Sequence, residues 1–119
     1  MTRPSKIHKI LTEARSLIAD PERWTQLKYA IDARGFAVDP TDPDAYCWCA
    51  SGAIEKACGG TVHHASRLLL GACSRRMREA CADIFPHEPS YITVNDYGTH
   101  EDILKVFDRA IEMEAQRAG

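Results

Sequence analysis

Between Ile7 and Ile18 the apolar residues fall at Ile7, Ile10, Leu11, Ala14, Leu17 and Ile18, a single stripe at helical spacing. Pro4 fits a first turn and Asp20-Pro21 supplies a stop, so the pattern predicts a helix over residues 4–19. Pro21, Glu22 and Arg23 are expected to add one helical turn, with Trp24 directed into the core. Leu27, Tyr29 and Ile31 then alternate with Gln26, Lys28 and Ala30. Asp32-Ala33-Arg34-Gly35 suits a type I turn leading into a bulge glycine, and Phe36 and Val38 supply a returning strand. The competing reading carries a helix through Trp24, Leu27, Lys28 and Ile31. The hairpin over residues 24–38 is preferred, and it must lie on the helices because an isolated hairpin is marginal.

Residues 39–46, DPTDPDAY, are a turn cluster in which Asp42 before Pro43 resembles a cap and a first-turn proline. A second helix is expected from residue 43 or 46 to 58, closed by Gly59-Gly60. Its middle, Ala50-Ser51-Gly52-Ala53, has almost no side-chain bulk. A helix-interior glycine costs about 1 kcal/mol relative to alanine, which close approach of a neighbouring element would offset. Residues 61–85 carry a long stripe through Val62, Ala65, Leu69, Ala72, Cys73, Met77, Ala80, Cys81 and Ile84, with Gly71 as a weak point. Residues 90–98, SYITVNDYG, are β-branched and aromatic, which suggests a short extended segment. Thr99 caps a last helix with Asp102 in the capping-box position, and Ile103, Leu104, Phe107, Ala110, Ile111 and Ala115 face inward. The expected fold is therefore mainly α, a bundle of about four helices with a small β-hairpin packed on it, in one domain over residues 1–119.

Composition changes this picture little. Of 119 residues, 45% are hydrophobic and 27% charged, enough for one modest core. The formal net charge of −2 provides no field that would favour nucleic acid or a membrane surface, and neither is an expected partner. No apolar run approaches the roughly 20 residues of a membrane span. Five cysteines, an odd number set mostly in apolar patterns, argue for reduced thiols and a cytoplasmic setting. Cys58, Cys73 and Cys81 are read as core.

Two motifs carry a resemblance: Trp48-Cys49-Ala50-x-Gly52-Ala53, and Asn95-Asp96 followed by Thr99-His100-x-Asp102-Ile103. With Asp20-Pro21-Glu22-x-Trp24 and Asp108-Arg109-Ala110-Ile111, the chain resembles over residues 7–115 a family of small bacterial and phage proteins known only as a domain of unknown function. That family often has a bulky aliphatic residue where Ser51 stands and a glutamate where Asp102 stands. The resemblance implies a fold and a compartment. Phage carriage implies an accessory protein acting on a host or defence complex.

The candidate chemistry centres on Cys49. A thiol in the first turn of a helix feels unpaired amides that favour the thiolate. His100 would activate it and Asn95 would orient the imidazole, with Asp96 as a spare orienter, giving a cysteine-dependent hydrolase or transferase. The competing reading makes Cys49 buried packing, Asn95-Asp96 turn chemistry and His100 a solvated first-turn residue. A metal held by Cys47 and Cys49 with His63-His64 is disfavoured, because residues one or two apart diverge on a helix, so that the two thiols could share an ion only from an extended segment, and paired CxxC spacing is absent; no metal or cofactor is expected. Arg67, Arg75, Arg76 and Arg78 with His63 and His64 form a basic stretch without interleaved aromatics. The preferred function is a protein-binding, regulatory module presenting Arg75, Arg76, Arg78 and Tyr97 to a protein partner.

Overall fold

The structure, a computed structural model, describes residues 5–118. Helix α1, Lys6–Leu17, is capped by Ser5, whose hydroxyl accepts the His8 amide. The Pro4 first turn expected from the sequence lies outside the described residues. Ile10, Leu11, Ala14 and Ile18 are buried, as their spacing predicts. A 3-10 turn, Pro21–Arg23, follows with Asp20 as its cap.

The stretch after it is neither the helix nor quite the hairpin expected. Strand β1, Ala30–Ile31, pairs antiparallel with β2, Cys47–Trp48, in the register Ala30 to Trp48 and Ile31 to Cys47. The turn at Asp32–Gly35 does form, with the Gly35 amide donating to the Asp32 carbonyl and Gly35 at φ 91°. The returning limb makes an isolated bridge between Ala37 and Ile31, with the Val38 amide donating to Ala30 and the Phe36 carbonyl accepting the Asp32 amide, but forms no strand. Phe36 is exposed, so that limb has little apolar surface to bury, whereas Trp48 is buried. The deeper pairing is the one with β2.

Helix α2 spans Ala50–Cys58, later than expected. Asp42 closes a local turn, accepting the Asp44 amide on its carboxylate and the Ala45 amide on its carbonyl, and pairing with β1 keeps Cys47 and Trp48 extended. Gly59, at φ 92°, ends the helix with the Gly59 and Gly60 amides turned back onto Lys56 and Glu55. Helix α3, His64–Ile84, runs unbroken through Gly71. Val62, expected in its stripe, lies before it, and both Val62 and Ala65 are exposed, so the stripe is buried only from Cys73 onward. Helix α4, Tyr91–Tyr97, replaces the extended segment expected there. The Ser90 hydroxyl accepts the Thr93 amide, and Tyr91, Val94 and Asn95 point inward at helical spacing. Helix α5, His100–Ala118, starts with the Thr99 hydroxyl accepting the Asp102 amide. It buries Ile103, Val106, Phe107, Ala110 and Glu114, while Ala115 is exposed.

The described residues thus form five α-helices and a two-stranded antiparallel sheet. Helix α1 packs mainly on α2 and α5, and α3 packs mainly on α5. Residues 50–54 sit at the centre: Ala50, Gly52, Ala53 and Ile54 are all buried. A Cβ built on Gly52 would lie 1.9 Å from the Tyr29 carbonyl oxygen, so the chain leading into β1 crosses α2 backbone against backbone. At Gly71, by contrast, a Cβ would meet nothing within 4 Å.

Two substitutions of glycine to alanine in helices should therefore have opposite effects. Gly52→Ala forces Tyr29 off α2 and should cost about 3 kcal/mol or more, whereas Gly71→Ala should gain up to about 1 kcal/mol from helix propensity. Urea denaturation of both variants reads the difference. Equal effects would contradict the close contact.

Candidate functional site

Asn95 is buried, and all four of its amide hydrogen-bonding positions are used. Its Oδ1 accepts from Trp24 Nε1 at 2.8 Å and from the Ala50 amide at 2.9 Å. Its Nδ2 donates to the Thr25 carbonyl at 3.2 Å and to Asp96 Oδ1 at 3.0 Å. One side chain thus joins the residues after the 3-10 turn, the start of α2 and the end of α4. The Ala50 amide is one of the unpaired donors that open a helix, so Asn95 also acts as a remote cap for α2. Further bonds extend the junction: Gln26 Nε2 donates to the carbonyls of Asn95 and Gly98, and the Leu27 amide donates to Asp96 Oδ1 at 2.9 Å. Residues 24–27 are therefore strapped onto the end of α4.

Where the strap meets α2 and α4 the surface is hollowed. A pocket of about 190 Å³ is lined by Leu27, Lys28, Tyr29 and Ile92, with Cys49, Ser51, Asn95 and Asp96 also on its wall. A second, of about 410 Å³, shares Tyr29, Ser51 and Ile92 with the first and adds Tyr91, Glu55 and Arg78. Together they make one groove. Its mouth carries three large apolar side chains turned to solvent: Leu27 is 66% exposed, Tyr29 64% and Ile92 50%. Beneath them runs a chain of hydroxyls, with Tyr91 3.3 Å from Ser51 Oγ and donating to Ser74 Oγ at 3.2 Å.

Cys49 and Asn95 come together on this groove; His100 is not among the residues lining either pocket. The Cys49 sulfur accepts the Gly52 amide at 3.3 Å, making it the cap of α2 rather than a residue of its first turn. Burial pushes the Cys49 thiol up, and the amides of Gly52 and Ser51, which lower it, do not compensate. The helix start was expected to favour the thiolate; desolvation outweighs it. His100 is packed against Trp24, ring centroids 5.4 Å apart, with Nε2 2.7 Å from the Ile18 carbonyl. Asn95 has no hydrogen-bonding position left with which to orient it.

The other sequence candidates separate in the same way. Arg76 is turned inward, with Nε 2.9 Å from Glu114 and Nη1 3.1 Å from Glu79. Glu114 also accepts the Ser5 hydroxyl, so the cation neutralises a buried carboxylate instead of facing a partner. Arg75 and Arg78 are exposed, and Arg78 lines the groove. Tyr97 is exposed at the end of α4. Arg67 holds the carbonyls of Thr61 and Val62. The Cys47 thiol donates to the Glu22 carbonyl, away from the Cys49 sulfur's own bond. Among the described residues no group of three or more His, Cys, Asp or Glu side chains is gathered for a metal ion. Nor is any described helix long and apolar enough to cross a membrane. The sequence reading missed Leu27, Tyr29 and Ile92. Gly52 signals that something approaches α2 closely, but not that Tyr29 and its neighbours are what approaches, and Gly71 shows that a helix-interior glycine need not mark a contact at all.

These features define a small, mainly helical domain with an apolar groove beside a buried asparagine junction. The chain belongs to the family described as "Family of unknown function (DUF6197)", whose model matches residues 2–113. No curated protein and no solved structure gives a significant match.

Two measurements follow. Asn95→Ala leaves the Trp24 indole N–H and the Ala50 amide without partners, at about 1–3 kcal/mol for each buried donor. Calorimetric or denaturant stability should fall by at least about 2 kcal/mol. All five thiols are raised by burial, Cys73 to about 12. The unfolded chain loses those protons near pH 8.5 while the fold keeps them, so the thiols' contribution is level below that pH and stability should fall as pH climbs above it towards 12. Iodoacetamide at pH 7 should label the native protein slowly at Cys49. Rapid modification of that one residue would revive a reactive thiol.

Proposed function

We propose that this protein is a binding module that holds a segment of a partner protein in the groove between the 27–29 strap, α2 and α4. The observation that carries the reading is the row of three exposed apolar side chains, Leu27, Tyr29 and Ile92, over two adjoining pockets. Exposed apolar clusters of this kind, set on a fixed backbone, are what recognition surfaces use. The charges at either end point to the partner's chemistry. Lys28 stands at the smaller pocket and Arg78 at the larger, and neither is in an ion pair among the described residues. Asp96 accepts the Leu27 amide and Asn95 Nδ2 on Oδ1, and its carboxylate shares the smaller pocket's wall with Lys28. Glu55 lines the larger pocket together with Arg78. The matching segment has a bulky apolar side chain flanked by acidic residues.

In this reading the module is regulatory, with Tyr97 and Arg75 as further exposed side chains outside the groove. Five free thiols fit a cytoplasmic setting. The resemblance to bacterial and phage proteins fits an accessory protein acting on a host or defence complex. A cysteine-dependent hydrolase or transferase is the second reading, favoured by one fact: Cys49 lines the same groove. It needs a base other than His100 in its present position.

A peptide array tests the first reading: Leu, Phe or Trp flanked by Asp or Glu at varied spacing, with Lys-flanked and scrambled controls. Acidic–apolar members should bind with micromolar Kd, and Ser51→Leu, which fills the floor shared by the two pockets, should abolish binding. Arg78→Glu should weaken it at least tenfold. Equal binding of the Lys-flanked controls, or undiminished binding by Ser51→Leu, would sink the reading.

A further inference from the structure

Among the described residues, Leu27 is the one non-glycine with positive φ, at 69°. A β-carbon in the left-handed region crowds the backbone, and glycine or asparagine occupies such a position at lower cost. The position carries a second cost, since the leucine side chain is 66% exposed. Neither cost is returned by the core, because Leu27 does not belong to it. The conformation is nonetheless firmly imposed. Thr25 accepts from Asn95, Gln26 donates to the Asn95 and Gly98 carbonyls, and the Leu27 amide donates to Asp96. Two residues further on, the Tyr29 carbonyl accepts the Cys49 amide at 3.1 Å. The strained residue is held from both sides, and its side chain forms part of the smaller pocket's wall.

We propose that Leu27 is a binding contact kept at the expense of stability: the strap holds its backbone left-handed so that its side chain walls the pocket that receives the partner's bulky apolar side chain. The proposal rests on the groove reading above and assigns it a specificity-determining residue. Backbone strain concentrates where the surrounding structure over-determines it, and strain joined to an exposed apolar side chain has no structural use at this position. The committed occupant is the acidic–apolar protein segment, with its apolar side chain between Leu27, Tyr29 and Ile92 and a carboxylate at Lys28.

The test separates strain from contact with two variants. Leu27→Gly removes both strain and side chain; Leu27→Ala keeps the strain and removes the side chain. Melting temperature should be unchanged or a few degrees higher in Leu27→Gly, about 2–4 °C above Leu27→Ala. The probe is 1-anilinonaphthalene-8-sulfonate, an apolar aromatic anion, alongside the tightest acidic–apolar peptide of the array. Both variants should bind both probes at least fivefold more weakly than the parent, with Tyr29→Ala as a positive control. Parental affinity in both variants while Tyr29→Ala and Ser51→Leu lose binding would overturn the role of Leu27 and leave the groove reading standing. No binding of either probe to the parent protein would overturn both. A melting temperature in Leu27→Gly well below that of Leu27→Ala would show that the left-handed backbone carries no strain and would also overturn the proposal.

Discussion

The Tyr29 carbonyl oxygen lies where a side chain at residue 52 would begin. Because residue 52 has none, the chain entering β1 lies directly on α2. That contact fixes several others. The Tyr29 carbonyl is close enough to accept the Cys49 amide, which holds Cys49 extended as the cap of α2. Residues 30–31 are then positioned to pair with 47–48, and residues 25–27 to reach the end of α4. A backbone–backbone crossing also turns the side chain of Tyr29 outward, which is why a buried main chain bears an exposed aromatic ring.

Asn95 completes the arrangement from the other side. A buried amide with four satisfied hydrogen bonds ties three segments that are distant in sequence, and in low dielectric each bond is expensive to lose. The result is a rigid rim around a shallow apolar groove. Binding surfaces gain from such pre-organisation because less conformational freedom is lost on association. The arrangement gives Cys49 and Asn95 structural work: the sulfur caps α2, and the amide is fully committed to the junction.

The helical stripes were legible because burial in α1, α3 and α5 follows spacing, and Leu11, Met77 and Phe107 lie in the core where periodicity places them. The errors have physical causes. Tyr91, Val94 and Asn95 form a helical face, but a polar residue in that face and β-branched neighbours imitate a strand. The helical pattern extends over β2 because its pairing partner lies eighteen residues away in the register Ala30 to Trp48, beyond what a local window contains. Arg76 looked like a surface cation because its partner Glu114 is on another helix. Gly52 was read correctly as a site of close approach, although what approaches it is a strand lead-in that the sequence left unspecified. The groove was not legible, since nothing local distinguishes an exposed Leu27, Tyr29 or Ile92 from a buried one.

The most direct measurement of the central contact is native-state hydrogen exchange, resolved by residue, at the Cys49 and Ala50 amides. Cys49 donates to the Tyr29 carbonyl and Ala50 to the Asn95 side chain. Both should exchange only through global unfolding, with protection equal to that of core amides such as Met77. Exchange at either amide as fast as in the exposed 33–35 turn would mean that the strap does not rest on α2, and the groove built on that contact would not exist.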